Sequence, residues 1–440
     1  MVFRVAPLAA LAALAVLMAS DASPSADATC NATTDAASPP LPLSTYAHAS
    51  NTLFIDTVVE KRPRDFHAAA TPATVDVLGR IHEIGAEEKF FTYASFNGWN
   101  NQLLNLLCAI DMARMLNRTL IVPPFSWPKR RGPVRVSVGR LVDSASIART
   151  GVRVLFEDEF GSVEHALKQA GVHIQDIAGE GQPHRKSGMP RWTRDAWLRR
   201  GEEARSFGLL RVSCCLFWTW LLPQDIAHEL YRTVDYHPAL RRAARDAAAS
   251  LTTPFAAMHV RRGDKAKVDP AYTGVFGERM GADYFARLAS DQGFPASATV
   301  FVATDELDRG WFAPLRDAGY TLRFVDDLAQ PPLLAALTAF PQPVWADVLA
   351  ILEQIVCIDA PAGFVGSLPS TLSGHIVNVR QAREAVPNEE GATARASRPL
   401  FVKLHESCCD ARTALDLLRL PGVATLADVP CTPHEGNEWC

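Results

Sequence analysis

Residues 254–265 read PFAAMHVRRGDK. Behind Pro254 the run Phe255–Met258 is apolar without alternation, the pattern of a strand buried on both faces of a parallel sheet. Val260 closes the strand, and Arg261, Arg262, Asp264 and Lys265 crowd its mouth beside His259. Ligands of open α/β sheets bind beyond the carboxyl ends of the strands, so a strand that delivers cations there is placed to hold an anion. Arginine suits a two-pronged grip on phosphate, and the neighbouring imidazole adds a donor. A solvated basic turn and an Arg-Gly-Asp adhesion tripeptide at Arg262 to Asp264 are the competing readings. A tripeptide tethered to a buried strand is poorly displayed for a receptor.

Strand and helix patterns alternate on either side. Upstream, KFFTYASF (89–96) reads as a strand, NGWNNQ (97–102) as a turn, LLNLLCAIDMARML (103–116) as a helix and TLIVPPF (119–125) as a second strand. Downstream come helical ADYFARLAS (282–290), strands ATVFVATDE (298–306) and YTLRFVDD (320–327), helical VWADVLAILEQIVCI (344–358), the strand GFVGS (363–367) and STLSGHIVNVR (370–380). Repeated strand, helix, strand units imply parallel sheets covered by helices. The expected fold is α/β, with one sheet centred on residues 90–245, a second on 250–385 and a cleft between them. The stretch from Pro128 to Asp195 is charged and turn-rich, which predicts loops or insertions, and no internal repeat is present.

Two further turns match the first in kind. In SFNGWNNQLL (95–104) Gly98 lets backbone pass close to a ligand, and Asn100, Asn101 and Gln102 bring amides to a helix start, where an anion is favoured. In GFVGSLPSTLSGHI (363–376) Ser370, Thr371 and Ser373 gather hydroxyls where a helix begins, a second phosphate cradle. Each alone is also an ordinary helix cap.

The chain has 440 residues, for which roughly two or three domains is the prior. A net charge of −4 from 44 basic and 48 acidic side chains argues against nucleic acid as a partner, so any bound anion is held locally. The N-terminus has Arg4, an apolar stretch Val5–Ala19 and small residues at Ser20, Ala22 and Ala26, the layout of a secretory signal cleaved after Ala22 or Ala28. A signal anchor is the alternative, but at about 1.5 Å per residue that stretch falls short of a roughly 30 Å bilayer core. The expectation is a luminal or secreted protein of the endoplasmic reticulum or Golgi, at a membrane only if the segment is kept as an anchor. Nine cysteines fit an oxidising compartment, with Cys408, Cys409, Cys431 and Cys440 suggesting disulfides in a loop-rich C-terminal extension beside Cys214 and Cys215. The odd count leaves a thiol unpaired, Cys108 or Cys357. A zinc site is the rival reading, although no Cys-x-x-Cys occurs. Two Asn-x-Thr sequons begin at Asn31 and Asn117.

NGWNNQLLNLLCAIDMARMLNRTLIVPP, HVRRGDK, VFVATDE and FVGSLPSTLSG, in that order, resemble the GDP-fucose protein O-fucosyltransferases and their α1,6-fucosyltransferase relatives. The matching segments span about residues 90–380, with nothing matched over much of 128–250. The resemblance implies a GT-B fold of two Rossmann-like domains facing a nucleotide-sugar cleft. It implies that Arg261 holds the β-phosphate of GDP and stabilises the departing diphosphate, that His259 assists at the nucleotide and that Asn101 lies near the glycosidic oxygen. Ser370 and Thr371 would bind phosphate. Gly98, Trp99, Asn100, Gln102 and Asp305, which ends VFVATD, would line the donor site, with Asp359 taken as the acidic residue that precedes FVGS in relatives.

No Asp-x-Asp triplet is present, which removes the usual sequence sign of a metal-dependent transferase; arginine replaces the metal and no cofactor is expected. The family's glutamate general base in the first turn is missing, so the acceptor proton leaves by another route, through Asn101 and the diphosphate. Glu157, Asp158 and Glu159 read as a solvated acidic loop. Expected boundaries are 1–28 for the signal, 29–88 for a stem, 89–248 and 249–385 for the two Rossmann-like domains, and 386–440 for the cysteine-rich extension. The reading is an inverting transfer of L-fucose from GDP-β-L-fucose to a protein or glycan hydroxyl; the alternative is a non-catalytic glycan- or partner-binding protein on the same scaffold.

Overall fold

The computed structural model describes residues 88–94, 98–127, 134–157, 163–169, 171–177, 194–212, 222–252, 254–263, 280–367 and 370–384. By internal contacts the chain divides into residues 1–41 and 42–440. The first unit, the signal segment, most of the stem and the C-terminal extension lie outside the described residues.

In chain order the first half of the second unit holds β1 (Phe90–Tyr93), α1 (Trp99–Met115), β2 (Thr119–Val122), β3 (Phe125–Trp127), β4 (Val134–Val136), α2 (Ser144–Ala148), β5 (Val154–Phe156), α3 (Val163–Gln169), β6 (Ile174–Asp176), α4 (Arg194–Glu203), β7 (Leu209–Val212), α5 (Gln224–Thr233) and α6 (Pro238–Ala248). Its second half holds β8 (Phe255–Val260), α7 (Ala282–Asp291), β9 (Thr299–Thr304), α8 (Ala313–Asp317), β10 (Thr321–Arg323), α9 (Gln330–Thr338), α10 (Trp345–Asp359), β11 (Phe364–Gly366) and α11 (Thr371–Glu384). The fold is α/β, with two parallel sheets and connecting helices.

The first sheet runs β5-β2-β1-β7-β6 and the second β10-β9-β8-β11, every pairing within them parallel. Central strands β1, β2 and β8 are buried at every residue, whereas edge strands β5 and β6 are half-buried and β10 is partly exposed. Burial on both faces explains why PFAAMHV carries no alternation. In the second sheet the order reverses between β8 and β11, and at such a switch point the carboxyl ends of the two strands leave a crevice. The same reversal falls between β1 and β7 in the first sheet.

Helix α1 is buried almost all round because both halves cover it, and one apolar core runs from Phe91 and Leu107 through Ala257 and Phe301 to Ile355 and Ile376. The last helix, α11, leaves β11 and packs on α5 and α1 as well as on α10. It therefore bridges the two expected domains.

Two sequence expectations need correcting. The stretch from Pro128 to Asp195 contains β4, β5 and β6, of which β5 and β6 are the edges of the first sheet; strands of three residues are too short to leave a periodic trace. Glu157 is not solvated: it is 7% exposed, its Oε1 accepts the Glu164 N–H at 3.2 Å, and its Oε2 lies 3.5 Å from Arg135 Nη2. Asp158 and Glu159 lie outside the described residues. Asn117, the first residue of the second sequon, is exposed with φ 49° just past α1, and Thr119 of that sequon is buried, donating to Glu88. Cys108 and Cys357 are both buried; the other cysteines lie outside the described residues. No described helix is long and apolar enough to cross a membrane.

Arg118 fastens the first sheet from below. It is 4% exposed, and its guanidinium donates to the carbonyls of Phe90 (3.2 Å), Phe207 (2.9 Å) and Arg205 (3.2 Å). Burial lowers its pKa to about 10, and Glu202 opposes the shift. Arg118→Ala should cost about 3–5 kcal/mol of stability, the scale for removing one buried charged donor and orphaning its acceptors. Chemical denaturation measures the loss, and Arg118→Lys, with one nitrogen, should restore only part of it.

Candidate functional site

His259 sits last but one in β8, paired across to Gly366 of β11 and Ala303 of β9. Its Nδ1 lies 2.6 Å from Ser373 Oγ on α11, and both residues are buried. Burial, aided by the positive Arg261, pushes the imidazole pKa down to about 3, so the ring is neutral at any ordinary pH. Gly366 makes room for this pair: a Cβ there would fall 2.6 Å from Ser373 Oγ and 2.9 Å from Ser373 Cβ.

Past Val260 the chain enters the crevice between β8 and β11. The Arg261 N–H donates to Ser367 Oγ at 2.8 Å, and the Ser367 N–H donates to the His259 carbonyl at 2.9 Å, so Ser367 joins the two strand ends. Arg261 Nη1 lies 3.0 Å from Asp305 Oδ2, at the end of β9. That oxygen is buried and makes no hydrogen bond among the described residues, so its link to the guanidinium is one of charge, while Asp305 Oδ1 accepts the Arg262 N–H at 2.7 Å. Arg262 is consumed internally: its Nε donates to Glu306 Oε2 at 2.9 Å, and its guanidinium stacks 4.4 Å above Trp311. Side-chain exposure is 32% for Arg261 against 14% for Arg262, so Arg261 is the arginine a ligand can reach. The packing of Arg262 also removes the solvated-turn and adhesion readings; Asp264 and Lys265 lie outside the described residues.

The first-sheet turn divides in two. Trp99 is 3% exposed and meets Phe125 edge-on at 5.8 Å, and Gln102 is 4% exposed with its amide donating to Ser126 O at 3.0 Å and accepting from Ser126 N at 3.3 Å. Both side chains take part in the packing of β3 on α1. Gly98 precedes α1 without any side-chain cap, and its carbonyl accepts the Asn101 N–H. Asn100 Oδ1 accepts from Gln354 Nε2 at 2.7 Å. Asn101 Oδ1 is buried with no hydrogen-bond partner among the described residues, an acceptor in want of a donor.

Ser370 is half-buried and Thr371 exposed at the start of α11, with the Ser370 N–H donating to Ser367 O at 3.2 Å. His259, Arg261, Asp305, Ser370 and Thr371 thus share the carboxyl edge of the second sheet, and Asn100 reaches it across α10. Asp359 does not. It ends α10 at the opposite edge of the sheet, paired with Arg241 (3.2 Å) and Arg383 (2.9 Å). The same helix carries Glu353, 7% exposed, whose pKa is raised to about 8 chiefly by burial, with Arg309 opposing and Asp326 and Asp305 adding to the shift. Sequence reading missed Glu353, Gln354 and Ser367. Two adjacent polar residues inside the apolar VLAILEQIVCI were the available signal. Among the described residues no group of three or more His, Cys, Asp or Glu is placed to hold a metal.

A family model described as GDP-fucose protein O-fucosyltransferase matches residues 90–383. A search of curated proteins found no match. Among solved structures, the chain is similar to POFUT1 in complex with GDP at 15% identity and TM-score 0.47, covering 68% of this chain and 95% of that one. It is similar to a mutant of Arabidopsis thaliana FUT1 in complex with GDP at 13% identity and TM-score 0.42, covering 71% and 74%. For the fucosyltransferase NodZ from Bradyrhizobium the values are 14% and 0.39, covering 69% and 95%. The matched span 90–383 takes in every strand of both sheets and all three turns at their carboxyl ends, and on that ground the chain belongs to the GDP-fucose protein O-fucosyltransferase family and is a fucosyltransferase.

Proposed function

We propose that this fucosyltransferase moves L-fucose from GDP-β-L-fucose to a hydroxyl of a protein Ser or Thr or of a glycan, with inversion at the anomeric carbon, in the lumen of the secretory pathway. The observation that carries the reading is the half-open Arg261 guanidinium beside the buried Oδ2 of Asp305, at the crevice between β8 and β11. A diphosphate entering that crevice meets Arg261 together with the hydroxyls of Ser370 and Thr371. As the bond from the sugar to the β-phosphate oxygen breaks, negative charge grows on GDP, and a guanidinium fixed at that place lowers the barrier where the charge develops. Metal-independent transfer follows from assigning this work to Arg261.

Neutral His259 serves as a hydrogen-bonding and packing group. With Nδ1 engaged by Ser373, its other ring nitrogen offers the nucleotide a single contact. Asn101 Oδ1, lacking a partner among the described residues, accepts the hydrogen of the incoming hydroxyl and aligns it, and the proton passes to the departing diphosphate. Glu353, within electrostatic reach of Asp305, supplies the acidic contact to the nucleotide that was expected of Asp359. The sheet-centred halves 89–248 and 249–385 act as acceptor-side and donor-side domains. The luminal assignment rests on the N-terminal sequence pattern and the cysteine content.

Release of GDP from GDP-fucose by the purified protein, with EDTA present, tests the reading without needing the acceptor. Turnover should survive EDTA and fall by at least about 100-fold in Arg261→Ala, the scale for losing one charge-stabilising group. Absence of both turnover and GDP binding by calorimetry in the wild type would overturn it. A second expectation concerns pH. The His259 pKa is about 3 folded against about 6.5 unfolded, so the unfolded state binds the extra proton, and this group's contribution is full above about pH 6.5 and lost as pH falls towards 3. His259→Asn, which keeps a partner for Ser373, should therefore be less destabilised relative to wild type at pH 4.5 than at pH 7, as denaturation at the two pH values would show.

A further inference from the structure

Gln354 lies in α10 and is fully buried, among the apolar Ile351, Leu352, Ile355 and Val356. A carboxamide in such a place is costly unless its hydrogen bonds are made, and here they are. Nε2 donates to Asn100 Oδ1 at 2.7 Å and to the Leu372 carbonyl at 3.2 Å, and Oε1 accepts from the Tyr236 hydroxyl at 2.5 Å. The orientation is forced: a backbone carbonyl only accepts, so the amide nitrogen must face Leu372, which turns the oxygen to Tyr236.

The three partners come from different parts of the site. Asn100 is in the first turn of α1, after β1; Leu372 is in the first turn of α11, after β11; Tyr236 just precedes α6. One side chain thus ties the amide turn of the first sheet to the hydroxyl turn of the second. Asn101, whose Oδ1 has no partner among the described residues, is the next residue after Asn100, and Ser370 stands two residues before Leu372. Neither Tyr236 nor Gln354 faces the crevice through an exposed surface.

We infer that Gln354 is a positioning residue for fucosyl transfer: its amide sets Asn101 of the first half in register with the diphosphate-holding turn of the second. The inference rests on the proposal that Arg261 and Asn101 serve transfer from GDP-fucose. Reacting groups displaced by about 1 Å lose on the order of 100-fold in rate, so a tie of this kind acts on turnover, while the GDP-binding edge, made by the second sheet, stays intact.

The test uses Gln354→Met, which keeps length and removes every hydrogen bond, with Asn100→Ala and the double variant. Gln354→Met should lower kcat for GDP release by at least about 10-fold while its Kd for GDP stays within about 3-fold of wild type. The double variant should fall no more than about 3-fold below the slower single, because both substitutions cut the same link. Amide hydrogen exchange should quicken over residues 99–104 and stay unchanged over 108–115. A folded Gln354→Met variant with unchanged kcat, multiplicative losses in the double variant, or a GDP affinity that falls in step with kcat would each overturn the inference. If the wild type turns over no GDP-fucose, the functional reading itself fails; hydrogen exchange still decides the tie, and unaltered exchange at 99–104 rejects it.

Discussion

Two parallel strands whose onward connections leave in opposite directions cannot cover the gap between their carboxyl ends. In this protein β8 runs on to β9 on one side and β11 to α11 on the other, and the crevice left open receives Arg261, Ser367 and the start of α11. Everything chemical about the second half depends on this topological opening. Asp305 flanks it from the end of β9, Gly366 keeps β11 bare so that Ser373 can reach His259, and Glu353 supports it from α10 behind.

Neighbouring charges are sorted by what surrounds them. Arg261 and Arg262 are adjacent in sequence and equal in chemistry, yet Arg262 is stacked on Trp311 and paired with the nearly buried Glu306, while Arg261 keeps a partner that holds it by charge without a hydrogen bond. A pair held that way gives up its guanidinium to a stronger anion at smaller cost than a hydrogen-bonded pair would. Desolvation treats His259 and Glu353 in the same sense, keeping both near neutrality, so that little net charge opposes an entering diphosphate.

The parts of this architecture that bury long apolar runs were legible in the sequence. PFAAMHV, VFVATD and KFFTY announce central strands because both faces are covered, and the cationic mouth after Val260 marks the binding edge without any structure. The edge strands β5 and β6 were not legible, since three half-buried residues carry no period. Within the site, letters alone could not separate Arg261 from Arg262 or Asn101 from Gln102, because the distinction lies in partners brought from far along the chain: Trp311, Asp305 and Ser126. Asp359 was misplaced for the complementary reason. It is close to FVGS in sequence, but α10 rises away from the crevice, so the last residue of the helix emerges at the wrong end of the sheet.

Helix α11 also couples the two halves mechanically. Its Arg380 donates to the carbonyls of Cys357 (3.4 Å), Ile358 (3.0 Å) and Ala360 (2.8 Å), which closes the end of α10 and clamps the two helices together, while another face of α11 lies on α5 of the first half. A helix transmits displacement along its length because it does not compress. Any rocking of the first half against the second must therefore travel down α11 to its first turn, where Ser373 touches His259, and the wall of the donor crevice becomes the end of a lever whose handle is on the opposite half.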